Sequence, residues 1–136
     1  MSKPLSTDVF PMRWGDMDAL GHLNNTLYFR MCEEARVGWL EARGWSVSTE
    51  AGTGAILAAT SCQYRAPMVY PCDILIETRV AKIGNSSFTL SHRIARQDTP
   101  DVTTAEAEAV IVWVDYAAGK AQPLPPTLRA QLEGRD

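Results

Sequence analysis

The stretch that decides the fold is NNTLYFRMCEEARVGWLEARG, residues 24–44. Apolar or small side chains recur along it at steps of four, three, four and three residues, which is the spacing of one helix face. These side chains are Tyr28, Cys32, Ala35, Trp39 and Ala42. Asn24 or Asn25 can cap the first amides, and Gly44 stands where a left-handed residue ends many helices. The pattern predicts one long helix whose apolar stripe must be covered by another element.

That cover is predicted from four stretches after the helix that alternate in polarity, each typical of a half-buried strand. They cover residues 56–64, 74–80, 88–94 and 109–114, and a shorter extended stretch near 8–13 precedes the helix. Turn-forming segments 84–86 and 98–101 join the last three strands and are too short for helical crossovers. We predict one α+β domain over 1–136, a long helix wrapped by an antiparallel sheet of about five strands. A small helix should begin at Pro125 or Pro126.

Composition limits the partners of this domain. The chain has 136 residues, 46% of them hydrophobic, and a net charge of −3, which argues against a surface built to neutralise nucleic-acid phosphates. Its three cysteines lack a C-x-x-C pair, a pattern typical of reduced thiols in the cytoplasm. Residues 1–15 lack a signal-peptide pattern, and no apolar run reaches the roughly 20 residues of a membrane span. We therefore expect a cytoplasmic protein that binds neither nucleic acid nor membrane.

The densest polar cluster is DMDALGHLNN, residues 16–25, between the first strand and the helix. A calcium loop starting at Asp16 fails because Leu20 and Leu27 occupy positions that require oxygen ligands. The single nearby histidine argues against a transition-metal site, so no metal is expected. A serine triad is not expected, because no G-x-S-x-G elbow occurs in the chain. Cys32 lies on the apolar stripe, where we expect it to pack as a small hydrophobic residue.

A carboxylate beside a helix N-terminus remains, and this geometry suits acyl transfer. The amides of residues 25–27, expected to be unpaired, can polarise a thioester carbonyl. Asp18 can then act as nucleophile on the carbonyl carbon or as general base on water. The alternative is purely structural, with the aspartates forming turns and the asparagines only capping the helix. His22 could likewise be a packing residue, and His92, on an apolar strand face, is expected to be structural.

The run RWGDMDALGHLNN, residues 13–25, resembles the signature of hotdog-fold acyl-CoA thioesterases, the group that contains 4-hydroxybenzoyl-CoA thioesterase. The resemblance continues through Tyr28, Phe29, residues 33–36, YRAP at 64–67, Tyr70, Asp73 and residues 83–88. It covers about residues 8–128. The hotdog fold that it implies, a long helix wrapped by an antiparallel sheet, agrees with the architecture predicted from periodicity alone.

The resemblance also implies roles for single residues. Asp18 would be the catalytic carboxylate, the amide of Asn25 would polarise the thioester, and His22 lies between them as a third candidate catalytic residue. Candidate substrate-binding residues are Asn24, Thr26, Arg65, Ser86 and Ser87. Because family members place the active site at a subunit interface, a homodimer or homotetramer is expected. The implied partner is an acyl-CoA, and no cofactor is expected beyond the coenzyme A that the substrate carries.

Two other functions stay open beside hydrolysis of a fatty or aromatic acyl-CoA. A hotdog hydratase or dehydratase would depend on His22, although the D-x-x-x-x-H motif of such enzymes is one residue longer than the spacing from Asp18 to His22. A module that binds acyl-CoA without turnover would keep the fold and lose the chemistry. For the hydrolase, the sequence leaves open a covalent anhydride at Asp18 or attack by water that Asp18 activates.

Overall fold

The structure is a computed structural model that describes residues 3–135, so Met1, Ser2 and Asp136 of the predicted domain lie outside the described residues. Its strands are β1 (Ser6–Pro11), β2 (Thr53–Tyr64), β3 (Asp73–Ile83), β4 (Ser87–Arg96), β5 (Thr103–Asp115) and the short β6 (Lys120–Ala121). Its helices are α1 (Asn25–Ala42) and α2 (Pro126–Leu132), with 3-10 turns at Trp14–Asp16 and Thr49–Ala51. Within residues 3–135 no helix has the length and apolar character to cross a membrane.

All strands pair antiparallel in one sheet of order β1-β3-β4-β5-β2, and β6 adds to β5. The three strands β3, β4 and β5 form the predicted meander with short connections. The predicted fifth strand near residue 8 is also present and pairs with β3. The α+β class, one long helix against an antiparallel sheet of about five strands, is therefore confirmed.

Helix α1 lies against this sheet through a stripe of buried residues. The stripe comprises Tyr28, Met31, Cys32, Ala35, Arg36, Trp39 and Leu40. Ala42 was predicted on the stripe but is exposed, because it is the last helical residue and the chain turns away at Gly44, where φ is +85°. Arg36 was not predicted to be buried. Arg36 lies four residues after Cys32 on the same buried face of α1. The apolar part of its long side chain can pack between the helix and the sheet.

Strand β2 is more exposed than predicted, since a half-buried strand was expected. Within residues 3–135 it is an edge strand that pairs with β5 alone, and α1 packs over the middle of the sheet. Ile56, Leu57 and Tyr64 are 44%, 43% and 46% exposed, and of the predicted buried face only Cys62 is partly covered. Alternation in polarity therefore predicted the strand correctly. The expectation that one of its faces is buried is wrong for the single chain.

Candidate active site

The polar cluster forms a tight loop between the first 3-10 turn and α1. Met17 and Leu23 form an antiparallel bridge, and inside it the amide of Asp18 donates to the carbonyl of His22 at 2.8 Å. Gly21 has φ of +77°, a left-handed conformation that glycine adopts without steric cost. The amide of Leu23 also donates to the carbonyl of Met68 at 2.8 Å, which ties the loop to the segment before β3. The loop thus places Asp18 directly beside the start of the helix.

The Asp18 carboxylate is oriented by backbone amides. Its Oδ1 atom accepts hydrogen bonds from the amide of Leu20 at 2.9 Å and from the amide of His22 at 3.4 Å. The other oxygen, Oδ2, has no hydrogen bond among the described residues. This is the turn that the structural alternative predicts. The same turn leaves one carboxylate oxygen in a defined orientation and available to a ligand.

The start of α1 corrects the expectation of three unpaired amides. Asn24 is the cap, and its Oδ1 atom accepts from the amide of Thr26 at 3.0 Å and from the Thr26 hydroxyl at 2.9 Å. The amide of Leu27 donates to the carbonyl of Asn24 at 3.0 Å. A cap side chain reaches the second and third amides of a helix but not the first. Within residues 3–135, the amide of Asn25 therefore has no hydrogen-bond acceptor, while those of Thr26 and Leu27 are occupied.

A surface cavity of about 270 Å³ joins these groups. It is lined by Asp18, His22, Leu23, Asn25, Tyr28, Tyr64, Arg65, Ala66 and Pro67. Four of the predicted site residues, Asp18, His22, Asn25 and Arg65, thus meet at one cavity. Asn24 and Thr26 lie immediately beside it, with their polar side chains bonded to each other. The cavity therefore brings together Arg65, Asp18, whose Oδ2 has no hydrogen bond among the described residues, and Asn25, whose amide has no acceptor there.

Arg65 is paired in this state. Its Nε and Nη2 atoms both donate to Oε2 of Glu106, at 2.9 and 2.6 Å, and the two side chains are 57% and 49% exposed. Exposed ion pairs contribute about 0–1 kcal/mol, so solvent or a competing anion can replace the carboxylate at small cost. The pairing therefore leaves Arg65 available to a phosphate.

Ser86 and Ser87 lie elsewhere in the chain fold. They occupy the β3–β4 turn and the first residue of β4, and Ser87 pairs with Val112 of β5. Tyr64 at the cavity pairs with Ala105, so the two positions are seven residues apart along β5 (112 − 105 = 7). At about 3.4 Å per residue this is about 24 Å. Within one chain these serines do not share the cavity with Asp18.

Tyr64 is a site residue to which the sequence assigned no role. Its hydroxyl donates to the carbonyl oxygen of Asn25 at 2.8 Å, and its ring packs edge-to-face on Tyr28, with centroids 5.0 Å apart and an interplanar angle of 81°. Burial raises the pKa of Tyr64 to about 12 and that of Tyr28 to about 12. The available signal was its position in the YRAP segment, an aromatic residue with a polar tip at the end of a strand.

Two residues expected to be structural lie in the core. Cys32 is 2% exposed, and burial raises the pKa of its thiol to about 12, which keeps it protonated. His92 is 1% exposed, with Nδ1 2.8 Å from Oγ1 of Thr78. Burial, and to a smaller extent the charge of Arg36, lower the pKa of His92 to about 4, so the ring is neutral at pH 7. Packing of Cys32 in the core is confirmed, whereas a structural role for His92 stays a prediction that its burial supports. Neither residue lines the cavity around Asp18.

The chain is similar to known thioesterases in sequence and in fold. Residues 12–132 match the sequence profile of the thioesterase-like superfamily. The PA2801 protein of Pseudomonas aeruginosa, a candidate thioesterase, is 38% identical, with a TM-score of 0.89 over 94% of this chain and 98% of that one. XC229 of Xanthomonas campestris, a candidate acyl-CoA thioesterase, is 39% identical, with a TM-score of 0.75 over 83% of this chain and 95% of that one.

A more distant relative is a candidate esterase of Aquifex aeolicus (strain VF5), which is 27% identical over 85 residues. That match spans 61% of this chain and 66% of the relative, just under two thirds of its length. The superfamily profile covers nearly all the described residues, and the Pseudomonas aeruginosa structure superposes over almost the whole chain. The chain therefore belongs to the thioesterase-like superfamily, and it has the hotdog fold.

Proposed function

We propose that this protein is an acyl-CoA thioesterase that hydrolyses a fatty or aromatic acyl-CoA to the free acid and coenzyme A. The observation that carries the proposal is the placement of Asp18 and Asn25 at one cavity. Asp18 has a carboxylate oxygen, Oδ2, with no hydrogen bond among the described residues. The backbone amide of Asn25 likewise has no hydrogen-bond acceptor among them. A nucleophile or base opposite a hydrogen-bond donor is the pair of groups that ester hydrolysis needs.

In the proposed mechanism the thioester carbonyl oxygen accepts a hydrogen bond from the Asn25 amide. Negative charge develops on that oxygen when the carbonyl carbon is attacked, and the positive end of the α1 dipole stabilises it further. Asp18 either attacks the carbon through Oδ2, giving an anhydride that water then cleaves, or removes a proton from an attacking water molecule. By either route the C–S bond breaks. When Asp18 acts as the base, the proton that it takes from water passes to the departing sulfur of coenzyme A; when Asp18 acts as the nucleophile, coenzyme A leaves as a thiolate that solvent protonates, and water then cleaves the anhydride into the free acid and the Asp18 carboxylate.

The remaining predicted residues would bind the substrate. Arg65 at the cavity would exchange Glu106 for a phosphate of coenzyme A, to which an arginine can donate two hydrogen bonds. Asn24 and Thr26 would hold the helix start against the acyl group, and His22 would border the reacting carbon. Ser86 and Ser87 would act from a second copy in the proposed homodimer or homotetramer. The exposed apolar side chains of Ile56 and Leu57 on edge strand β2 support such an assembly.

The test is thiol release from a panel of short-chain, medium-chain, long-chain and aromatic acyl-CoAs. Asp18→Asn should lower kcat by about 10²- to 10⁴-fold, the usual contribution of a positioned acid or base. Asparagine keeps the oxygen that accepts from the Leu20 amide, so the turn should persist. Asp98→Asn is the matched control, because Asp98 is an exposed carboxylate in a turn and lies outside the cavity.

Each outcome separates one hypothesis. Thiol release that collapses in Asp18→Asn and persists in Asp98→Asn supports the proposal. Saturable binding of acyl-CoA with no thiol released by the native chain would favour a binding module. Turnover that survives in Asp18→Asn would show that the carboxylate is misassigned, and water addition to an enoyl-CoA that depends on His22 would favour the hydratase.

A further inference from the structure

We propose that Tyr64 is a positioning residue that holds the first turn of α1 so that the Asn25 amide faces the thioester. This inference rests on the proposed thioesterase function. Tyr64 is the last residue of β2 and lines the same cavity as Asp18 and Asn25. Its hydroxyl donates to the Asn25 carbonyl oxygen at 2.8 Å. The residue proposed to polarise the substrate is thus bonded directly to a side chain from a different element.

The bond acts at the least constrained point of the helix. Asn25 is the first residue of α1, and its amide has no acceptor among the described residues. Helix ends fray, and only the i+4 amide within the helix would otherwise hold the Asn25 carbonyl. A carbonyl oxygen has two lone pairs, so it can accept the Tyr64 hydroxyl as well. Because the amide and the carbonyl flank the same α-carbon, fixing the carbonyl restricts the direction in which the amide points.

Tyr64 is itself held firmly enough for this task. Its ring packs edge-to-face on Tyr28, which is 3% exposed and lies three residues after Asn25 on α1. Tyr64 therefore contacts the helix at two points, the ring at Tyr28 and the hydroxyl at Asn25. A tyrosine hydroxyl ordinarily titrates at about pH 10. Partial burial raises the pKa of Tyr64 further, so the hydroxyl is protonated and can donate throughout the neutral range. A protonated donor matches the carbonyl acceptor that it meets.

The expected consequence concerns the transition state more than substrate binding. A hydrogen-bond donor stabilises the oxyanion because it is already oriented toward the oxygen on which negative charge develops. A donor with a less fixed orientation stabilises the transition state less. Coenzyme A binding would depend on other residues, such as Arg65. We therefore expect Tyr64→Phe to lower kcat about tenfold while KM changes less than twofold. A residue with only a structural role would not produce this split.

Tyr116→Phe provides the matched control. The hydroxyl of Tyr116 also donates to a backbone carbonyl, that of Ala55 at 2.9 Å, and it lies outside the cavity around Asp18. Both variants lose one tyrosine-to-carbonyl hydrogen bond, so stability losses should be similar, whereas only Tyr64→Phe should lower kcat. Native kcat in Tyr64→Phe, an equal loss in both variants, or a change confined to KM would each overturn the inference.

A second measurement does not depend on turnover. Backbone ¹⁵N order parameters of Asn25 and Thr26 should fall in Tyr64→Phe and stay at native values in Tyr116→Phe. Unchanged order parameters at these residues would refute positioning by Tyr64 whether or not the protein hydrolyses acyl-CoA. Conversely, a native chain that releases no thiol refutes the proposed function. If the order parameter of Asn25 still fell in Tyr64→Phe of such a protein, Tyr64 would hold the start of α1 without any role in hydrolysis, and the inference would be overturned.

Discussion

Acidification should destabilise this fold through one buried histidine. His92 lies on β4, is 1% exposed, bonds to Thr78 through Nδ1, and is near enough to Arg36 of α1 for that charge to affect its pKa. Its Nε2 atom has no hydrogen-bond partner among the described residues. Burial first, and the neighbouring charge of Arg36 second, lower its pKa to about 4. Protonation would therefore place an unpaired cation in the core beside another cation.

The size of the effect follows from this pKa. A histidine in the unfolded chain titrates near 6.5, so between about pH 6.5 and pH 4 the unfolded chain binds a proton that the folded chain does not. The free energy of unfolding consequently falls as pH falls through that window. The full difference of about 2.5 pH units corresponds to about 3 kcal/mol, of which about 2 kcal/mol is already lost at pH 5.

Urea unfolding at pH 7 and pH 5 measures this loss. His92→Gln keeps a polar side chain beside Thr78 but does not titrate, and His22→Gln removes the chain's other histidine as the matched control. The native chain and His22→Gln should lose about 2 kcal/mol more than His92→Gln between the two pH values. If His92→Gln loses as much stability as the native chain, buried His92 does not cause the acid sensitivity and the reasoning is refuted.

Two further predictions concern packing and coenzyme A. Gly54→Ala should destabilise the fold by about 1–3 kcal/mol, since its Cβ would lie 2.5 Å from the Tyr116 hydroxyl. Gly15→Ala, whose Cβ meets nothing within 4 Å, is the control in urea unfolding, and equal effects would contradict the steric explanation. Arg65→Met should raise KM for acyl-CoA about tenfold but leave KM unchanged for an acyl-N-acetylcysteamine, which lacks phosphates; equal shifts in steady-state assays would exclude a phosphate contact.

Local pattern was enough to predict most elements of the fold. The stripe over residues 24–44 predicted α1 to within two residues of its observed end, and the turns at 84–86 and 98–101 predicted the β3-β4-β5 meander. Periodicity says which residues share a face, but not which strand becomes a neighbour or how far a helix extends over a sheet. The pairing of β2 with β5 and the exposure of Ile56 therefore emerged only from the structure.

The residues of the candidate site also divide into those that could be predicted from the sequence and one that could not. Asp18, His22 and Asn25 could be grouped from the sequence because they lie within eight residues of one another, and the resemblance added Arg65. Tyr64 reaches Asn25 from 39 residues away. That contact depends on where β2 ends relative to α1. No spacing rule in the sequence encodes it.

The structural and chemical interpretations of the polar loop were set against each other as alternatives, yet they are compatible, because the hydrogen bonds that form the turn and the cap do not use every polar atom of Asp18 and Asn25. Asn24 caps α1 and occupies the amide of Thr26, which leaves Asn25 as the donor that a ligand can use. Asp18 forms its turn through Oδ1 alone, which leaves Oδ2 free. A cap and a turn that each satisfied every polar atom would build the same backbone without the chemistry. The proposed activity therefore depends on Oδ2 of Asp18 and on the backbone amide of Asn25, neither of which has a hydrogen-bond partner among the described residues.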